Sequence, residues 1–258
     1  MAEFIIHDST PSHLIFPPGY TTGLDLSERP EGFAYAGTAE PFPQELLIPR
    51  SEWQARIQER EETKTRLSDL CDRHGVKVKD QQQTNYCWVN APTHCVEIVR
   101  AIQNQRHVEL SAASVGAQLT DYRNIGGWGK QALEFIASNG VVPVSLWPVN
   151  AISRQYATDA AKAEAKRFAV DEWWELEPRN LDQVVSCLLQ PVPIPIAVGY
   201  NWWGHEVTLV DAAWVDGTIA LRFDNSWGES YGTKGRGILQ GNRMLPDDAV
   251  APRTTKAY

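Results

Sequence analysis

Long apolar runs and surplus positive charge are both missing from this chain of 258 residues. No stretch is apolar enough to span a bilayer as a helix, so no membrane partner is expected. The opening Met1-Ala2-Glu3-Phe4-Ile5-Ile6-His7-Asp8 is acidic and has no apolar run of signal-peptide length. Lys and Arg number 24 against 32 Asp and Glu, and the net charge of −8 argues against a nucleic-acid groove, which needs a basic patch. No internal repeat is present. Spaced metal ligands are absent as well: His94 and Cys95 are adjacent and His107 stands apart, and adjacent side chains do not readily close on one tetrahedral ion. No metal and no organic cofactor is expected. Cysteine is sparse, at positions 71, 87, 95 and 187. With Cys87 kept free for chemistry, the remaining three cannot all pair, which points to a reducing, cytoplasmic setting.

What the chain does contain is enough for a full core, with 43% of its residues hydrophobic. Residues 1–47 carry Pro11, Pro17, Pro18, Gly19, Gly23, Pro30, Gly32, Gly37, Pro41 and Pro43 and show no helical period. They read as an extended arm with turns, packed on the surface, with an arm that crosses a cleft as the alternative. Residues 51–74 read as one helix, with Ser51 as N-cap, Gly75 as C-cap and a thin stripe of Trp53, Ile57, Leu67, Leu70 and Cys71. Further helices are expected near 87–105, 111–120, 128–139 and 155–167. Strands rich in Val, Ile, Trp and Phe are expected near 168–176, 193–200, 206–214, 218–224 and 236–239. Pro191, Pro193 and Pro195 alternate, which places the missing N–H groups of strand 193–200 on one side and predicts a sheet edge there. A helix-rich half followed by a strand-rich half is an α+β pattern.

Three polar residues stand out by their order. Cys87 lies in Gln81-Gln82-Gln83-Thr84-Asn85-Tyr86-Cys87-Trp88 at a predicted helix start; His205 lies in Gly204-His205-Glu206-Val207; Asn225 opens Asn225-Ser226-Trp227-Gly228. A thiol, an imidazole and an amide are the parts of a cysteine nucleophile, its base and an orienting group. Only the thiolate attacks an amide well, and a helix N-terminus and a nearby imidazolium would both lower the thiol pKa. Gln81, six residues before Cys87, offers a side-chain N–H to a developing oxyanion, with the Cys87 backbone N–H as second donor.

In these blocks the chain resembles the papain-like cysteine proteases. Gln81 and Cys87-Trp88 resemble the family's oxyanion glutamine, nucleophile and following tryptophan; His205 resembles its histidine; Asn225-Ser226-Trp227-Gly228 with Gly235-Arg236-Gly237 resembles its asparagine block. Asn124-Ile125-Gly126-Gly127-Trp128 resembles its glycine-pair segment. Asn225 follows Cys87 by 225 − 87 = 138 positions, within the roughly 130–150 of papain-type enzymes. The likeness runs from about Ile48 to about Leu245. Two departures stand out. Thr84-Asn85-Tyr86 replaces the run of disulfide cysteine, glycine and serine, and Asn124 replaces the cysteine before the glycine pair. Pro92 also falls within the first turns of the predicted helix.

The resemblance implies a two-lobe fold, a helical lobe plus an antiparallel β-barrel-like lobe, with the active site in the cleft between them. The expected division is an arm over 1–47, a peptidase domain over 48–246 (helical lobe about 76–165, β lobe about 166–246) and a C-terminal tail over 247–258. It implies a cysteine peptidase acting on peptide or protein substrates through a thiolate–imidazolium pair and an acyl-enzyme. Gly126 and Gly127 would bind an extended substrate like an added strand, Trp128 would wall a subsite, and Trp227 would shield the His205–Asn225 bond. The link Asn201-Trp202-Trp203-Gly204 before His205 is short for the family and predicts an open leaving-group side. Two rival readings stay open here. One is a related acyl-transferase or isopeptide or cell-wall amide hydrolase; the other is a non-catalytic binding scaffold.

Overall fold

The computed structural model describes residues 3–27 and 39–256. Pro30, Gly32 and Gly37 of the predicted arm lie outside them. Helix α4 (Cys87–Ile102) forms the centre, and every residue from Cys87 to Ala101 is buried. A helix apolar on most faces must be covered all round, and the other elements do this. On one side lie α5 (Ala113–Leu119), α6 (Gly129–Asn139) and α7 (Asp159–Ala165). On the other lies an eight-stranded sheet of β1 (Ile5–Ile6), β2 (Glu40–Pro41), β3 (Val170–Glu175), β4 (Ile196–Tyr200), β5 (His205–Val215), β6 (Thr218–Asp224), β7 (Arg236–Leu239) and β8 (Asp248–Thr255). The far face of the sheet is covered by α2 (Arg50–Thr63) and α8 (Leu181–Leu189), while α3 (Leu67–His74) packs against α4 and bonds Asp211 of β5 through Ser68.

The strand order is β1-β7-β6-β5-β4-β8-β3-β2. Inner strands pair antiparallel, while the outermost pairs, β1 with β7 and β2 with β3, are parallel. In its pairing the barrel-like lobe is thus an open sheet. Both edge strands come from the arm, which caps the two exposed ladders that an open sheet leaves.

Several expectations need correction. The single helix over 51–74 is two helices, because Lys64 turns into the left-handed region (φ 57°) and ends α2. Pro49, not Ser51, precedes the first turn, since its fixed φ suits the start of a helix. Gly75 does cap α3 with φ 71°. The prolines at 191–195 lie ahead of β4, whose five residues are all buried between β5 and β8; no edge exists there. The predicted tail over 247–258 contains β8, an inner strand between β4 and β3. Its Ala249, Val250 and Ala251 are small, and their burial was not legible from hydrophobicity alone. Helix α8 was missed because Val184-Val185 and Leu188-Leu189 look strand-like; Asn180 caps it by accepting from the Gln183 N–H. Pro92 sits inside α4 without ending it, close enough to the first turn that few backbone bonds are lost.

All four cysteines are unpaired and buried. Buried thiols behave as small apolar groups. A thiol reagent should therefore find four groups in the denatured, unreduced protein and react slowly with the native one. A count of two would mean a disulfide that this packing does not allow.

Candidate active site

Cys87 opens α4, where the first helical N–H groups have no intrahelical acceptor. Its loop is fixed by Tyr86, whose hydroxyl donates to the Arg123 carbonyl at 2.8 Å and lies 3.0 Å from Thr120 Oγ1. The Tyr86 ring rests on Gly116, where a Cβ would come within 2.8 Å of it. The bulky residue before the nucleophile thus has a slot cut for it. Where the family resemblance places a disulfide, hydrogen bonds act instead. Asn124 Oδ1 accepts from the Asn85 N–H at 2.6 Å and Asn124 Nδ2 donates to the Gln83 carbonyl at 3.1 Å. These bonds tie the cysteine loop to the glycine pair.

His205 begins β5 and Asn225 follows β6, so neighbouring strands bring them together. Nε2 of His205 lies 2.8 Å from Asn225 Oδ1. An amide oxygen only accepts, so Nε2 carries the proton, and Nδ1 is left buried without a hydrogen-bond partner. Trp227 stacks on the imidazole at 4.4 Å, and Trp203 meets it edge-on at 4.9 Å. Both indoles keep water from the His205–Asn225 bond. Gln81 is held by two bonds to Ser226: its N–H donates to the Ser226 carbonyl at 2.8 Å, and its Oε1 accepts from Ser226 Oγ at 2.6 Å. That places the glutamine segment and the asparagine block side by side.

The arm does not simply pack on the surface; it crosses the cleft. The Gly127 N–H donates to the Gly23 carbonyl at 3.0 Å, and the Asp25 N–H donates to the Gly127 carbonyl at 2.9 Å, a parallel bridge centred on Leu24. On the other side the N–H groups of Gly23 and Leu24 point to the Gly204 carbonyl at 3.4 and 3.2 Å. Gln81 Nε2 donates to the Thr84 carbonyl at 2.7 Å and reaches the Thr21 carbonyl at 3.2 Å, which also accepts from Trp227 Nε1 at 2.8 Å. The fit needs bare backbone. A Cβ on Gly23 would overlap the Asn85 carbonyl oxygen, and one on Gly126 would come within 2.5 Å of the Gly23 carbonyl oxygen. Trp128 stands beside this crossing as the residue ahead of α6 and lines a cleft with Leu24 and Asp25. The link Asn201–Gly204 is a four-residue turn, as expected, but the side it leaves open is occupied. Tyr20 stacks on Trp227 at 5.0 Å and Phe16 meets it edge-on at 5.4 Å.

This cover sets the protonation states. Burial pushes the Cys87 thiol well up, and the neighbouring Glu206 carboxyl adds to that; the N–H groups of Glu206, Trp88 and Leu24 only partly offset it. Burial pulls His205 down to about 4, against the pull of Asn225 in the other direction. In the covered cleft desolvation disfavours the charge on both groups. The helix N-terminus is present, but desolvation outweighs it.

Sequence reasoning gave His94 no structural role, yet it is buried in an ionic cluster. Burial alone would lower its pKa, but bonding to Asp224 (Nε2–Oδ2 2.9 Å) and proximity to Glu97 raise it. Asp224 also accepts from Arg236 Nε at 2.9 Å. Because Asp224 precedes Asn225, this buried cluster pins the asparagine's backbone to α4. The arm residues Thr21 to Asp25 were passed over too, although Gly23 in a Pro-poor stretch was a signal for close backbone approach.

Comparison with known proteins gives a consistent result. The sequence profile of the papain family cysteine proteases matches residues 68–205. Among curated proteins, the chain is 27% identical over 194 residues to cathepsin L 1 of Paramecium tetraurelia, covering 67% of this chain and 59% of that protein. It is 30% identical over 125 residues to stem bromelain of Ananas comosus, covering 48% and 57% respectively. The chain thus spans about 59% of the length of the cathepsin L relative. Among solved structures, xylellain, a cysteine protease from Xylella fastidiosa, superposes with a TM-score of 0.61 at 16% identity, covering 92% of this chain and 97% of that one. Digestive procathepsin L 3 of Tenebrio molitor superposes with a TM-score of 0.59 at 21% identity, covering 69% and 66%. At these identities the structural likeness establishes the fold.

Gly23→Val, in the full chain, should expel the crossing segment. Alkylation of Cys87 by iodoacetamide is expected to speed up at least about tenfold, the thiol pKa falling once water reaches it. An unchanged rate in a folded variant would show that the cover does not control the thiol.

Proposed function

The chain belongs to the papain family of cysteine proteases, and on that footing we propose that it is a cysteine peptidase held latent by its own arm. The observation that carries this reading is the segment Thr21 to Asp25. An extended peptide already lies across Cys87, bonded to Gly127 on one side and to Gly204 on the other. The cleft is thus built to bind peptide backbone, and a peptide or protein is its natural substrate class.

In the open enzyme, Cys87 Sγ gives its proton to His205 Nδ1, the ring nitrogen that has no other partner. The sulfur then attacks the substrate carbonyl carbon. Negative charge grows on the carbonyl oxygen, and Gln81 Nε2 and the Cys87 backbone N–H stabilise it. His205 hands the proton to the departing amine as the C–N bond breaks and leaves an acyl-enzyme; water, deprotonated by the same ring, then releases the acid. Asn225 holds Nε2 and so keeps Nδ1 facing the thiol. A thiol and imidazole that are neutral under cover become an ion pair once the cleft is wet, because the desolvation opposing both charges is relieved.

The arm itself escapes cleavage for a geometric reason. It presents the Leu24 N–H, not a carbonyl carbon, to the Cys87 sulfur. Gln81 Nε2 is meanwhile occupied by Thr84 and Thr21. With neither an electrophile nor a free oxyanion donor, the segment acts as an inhibitor. The four unpaired cysteines, and the Asn85–Asn124 bonds in place of a disulfide, support a reducing compartment as the working environment.

The test is peptide hydrolysis in the Gly23→Val background. Adding Cys87→Ala should lower kcat/KM by at least about a thousandfold, and His205→Ala should do nearly the same, since these groups act as a unit. Asn225→Ala should retain more activity than either. Retention of more than a few per cent of the rate by Cys87→Ala would exclude this mechanism. Activity in the wild-type chain equal to that of Gly23→Val would exclude the latency.

A further inference from the structure

Tyr231 touches both the arm and the asparagine block, and the mechanism above does not use it. It is 3% exposed. Its ring meets Trp227 edge-on at 5.0 Å, the same indole that stacks on His205. From the arm, Phe4 and Tyr20 meet it edge-on at 5.4 and 6.2 Å. Its backbone is tied to that of Asn225. The Gly235 N–H donates to the Tyr231 carbonyl at 2.7 Å, and the Asn225 N–H donates to the Gly235 carbonyl at 2.9 Å.

Ring packing of this kind needs no hydroxyl, and a buried hydroxyl costs stability unless it is bonded. The one on Tyr231 donates to the Ile15 carbonyl of the arm at 3.1 Å. A carbonyl only accepts, so the hydroxyl proton is committed there and its lone pairs can only accept in turn. The side-chain amide of Asn225 lies against them. Asn225 Oδ1 is already taken, by His205 Nε2 at 2.8 Å and by the Ser226 N–H at 2.7 Å. That leaves Nδ2, which is buried and has no nearer partner than this hydroxyl.

Three donations then run one way: His205 Nε2 to Asn225 Oδ1, Asn225 Nδ2 to Tyr231, and Tyr231 to Ile15. Bonds aligned like this polarise one another. Reversing the first would turn the Asn225 amide over, set Nδ2 against His205 Nε2 and move the ring proton to Nδ1. His205 would then have no base to offer the thiol. The Ser226 N–H opposes that flip from one side. Tyr231 opposes it from the other, because a flipped Oδ1 would meet a hydroxyl whose proton is committed elsewhere.

We propose that Tyr231 is a positioning residue: by accepting from Asn225 Nδ2 it fixes the direction of that amide, and so keeps the proton on His205 Nε2 and leaves Nδ1 free as the base. The role of the base rests on the peptidase reading; the direction of the amide is a property of the folded chain. Asn225 raises the His205 pKa against burial, because the charged ring donates to Oδ1 more strongly. An amide whose N–H is engaged by Tyr231 is a better acceptor, so loss of the hydroxyl lowers the His205 pKa. Among the described residues no carboxylate contributes to this balance; Trp203 and Trp227 cover the ring, and Tyr20 is the titratable group beside Tyr231.

Tyr231→Phe keeps the ring and removes only the hydroxyl, and it is tested in the full chain carrying Gly23→Val. The His205 titration, followed by NMR, should move down by about half a pH unit. Peptide kcat should fall about tenfold with KM changed by less than about twofold. The alkaline limb of the rate profile should move to lower pH with it, since the imidazolium loses its proton there. Because Tyr231 acts through Asn225, the substitution should cause no further loss in Asn225→Ala. An unchanged His205 titration overturns the inference. So does the same tenfold loss on top of Asn225→Ala, which a general loosening of the fold would give. If Gly23→Val turns over no peptide while Tyr231→Phe still lowers the His205 titration, the peptidase reading falls and the positioning of the amide stands.

Discussion

The burial of α4 from Cys87 to Ala101 governs the rest of the structure. A helix placed at the centre has to satisfy its polar side chains inside the protein, because no water reaches them. His94 meets Asp224, and Glu97 meets Lys79 and the Leu110 N–H. The two charged partners come from segments that also carry candidate site residues: Lys79 stands two positions before Gln81, and Asp224 one before Asn225. The ionic contacts of the helix therefore act as a jig. They set the thiol at the helix start against the glutamine segment and the asparagine strand, with no disulfide needed to hold the loop. Removing one member of such a buried pair would leave an uncompensated charge, which costs far more than a surface pair contributes.

The arm is the second organising feature. It enters as β1 at one edge of the sheet, threads the cleft at Thr21 to Asp25, and returns as β2 beside β3 at the other edge. One segment thus protects both open ladders and covers the nucleophile. The two roles are coupled through the same backbone, so the cover is anchored at both ends. Its hold within the cleft is made of backbone hydrogen bonds and aromatic packing around Trp227.

Much of the site was legible from the chain because catalytic chemistry uses few residue types in fixed local settings. Cys87 before a tryptophan, His205 at the start of a Val- and Leu-rich strand and Asn225 before Ser-Trp-Gly each carry a local signature, and their order left few assignments open. The helices with strong apolar periodicity, α4 and α6, were placed within a few residues. Elements whose burial comes from position and not from side-chain size were missed: β8, whose buried Ala249, Val250 and Ala251 are small, and α8, whose paired valines and leucines imitate a strand.

Sequence alone determined the α+β class of the fold and singled out Cys87, His205 and Asn225 as candidates, since both follow from residue types and spacings along the chain. The tertiary structure decided what state those side chains are in. Whether Cys87 is a thiolate or a thiol depends on how much water reaches it, and that is set by an arm more than sixty positions away. The path of that arm is fixed by Gly23 against Asn85 and by hydrogen bonds to Gly127 and Gly204, contacts between distant segments.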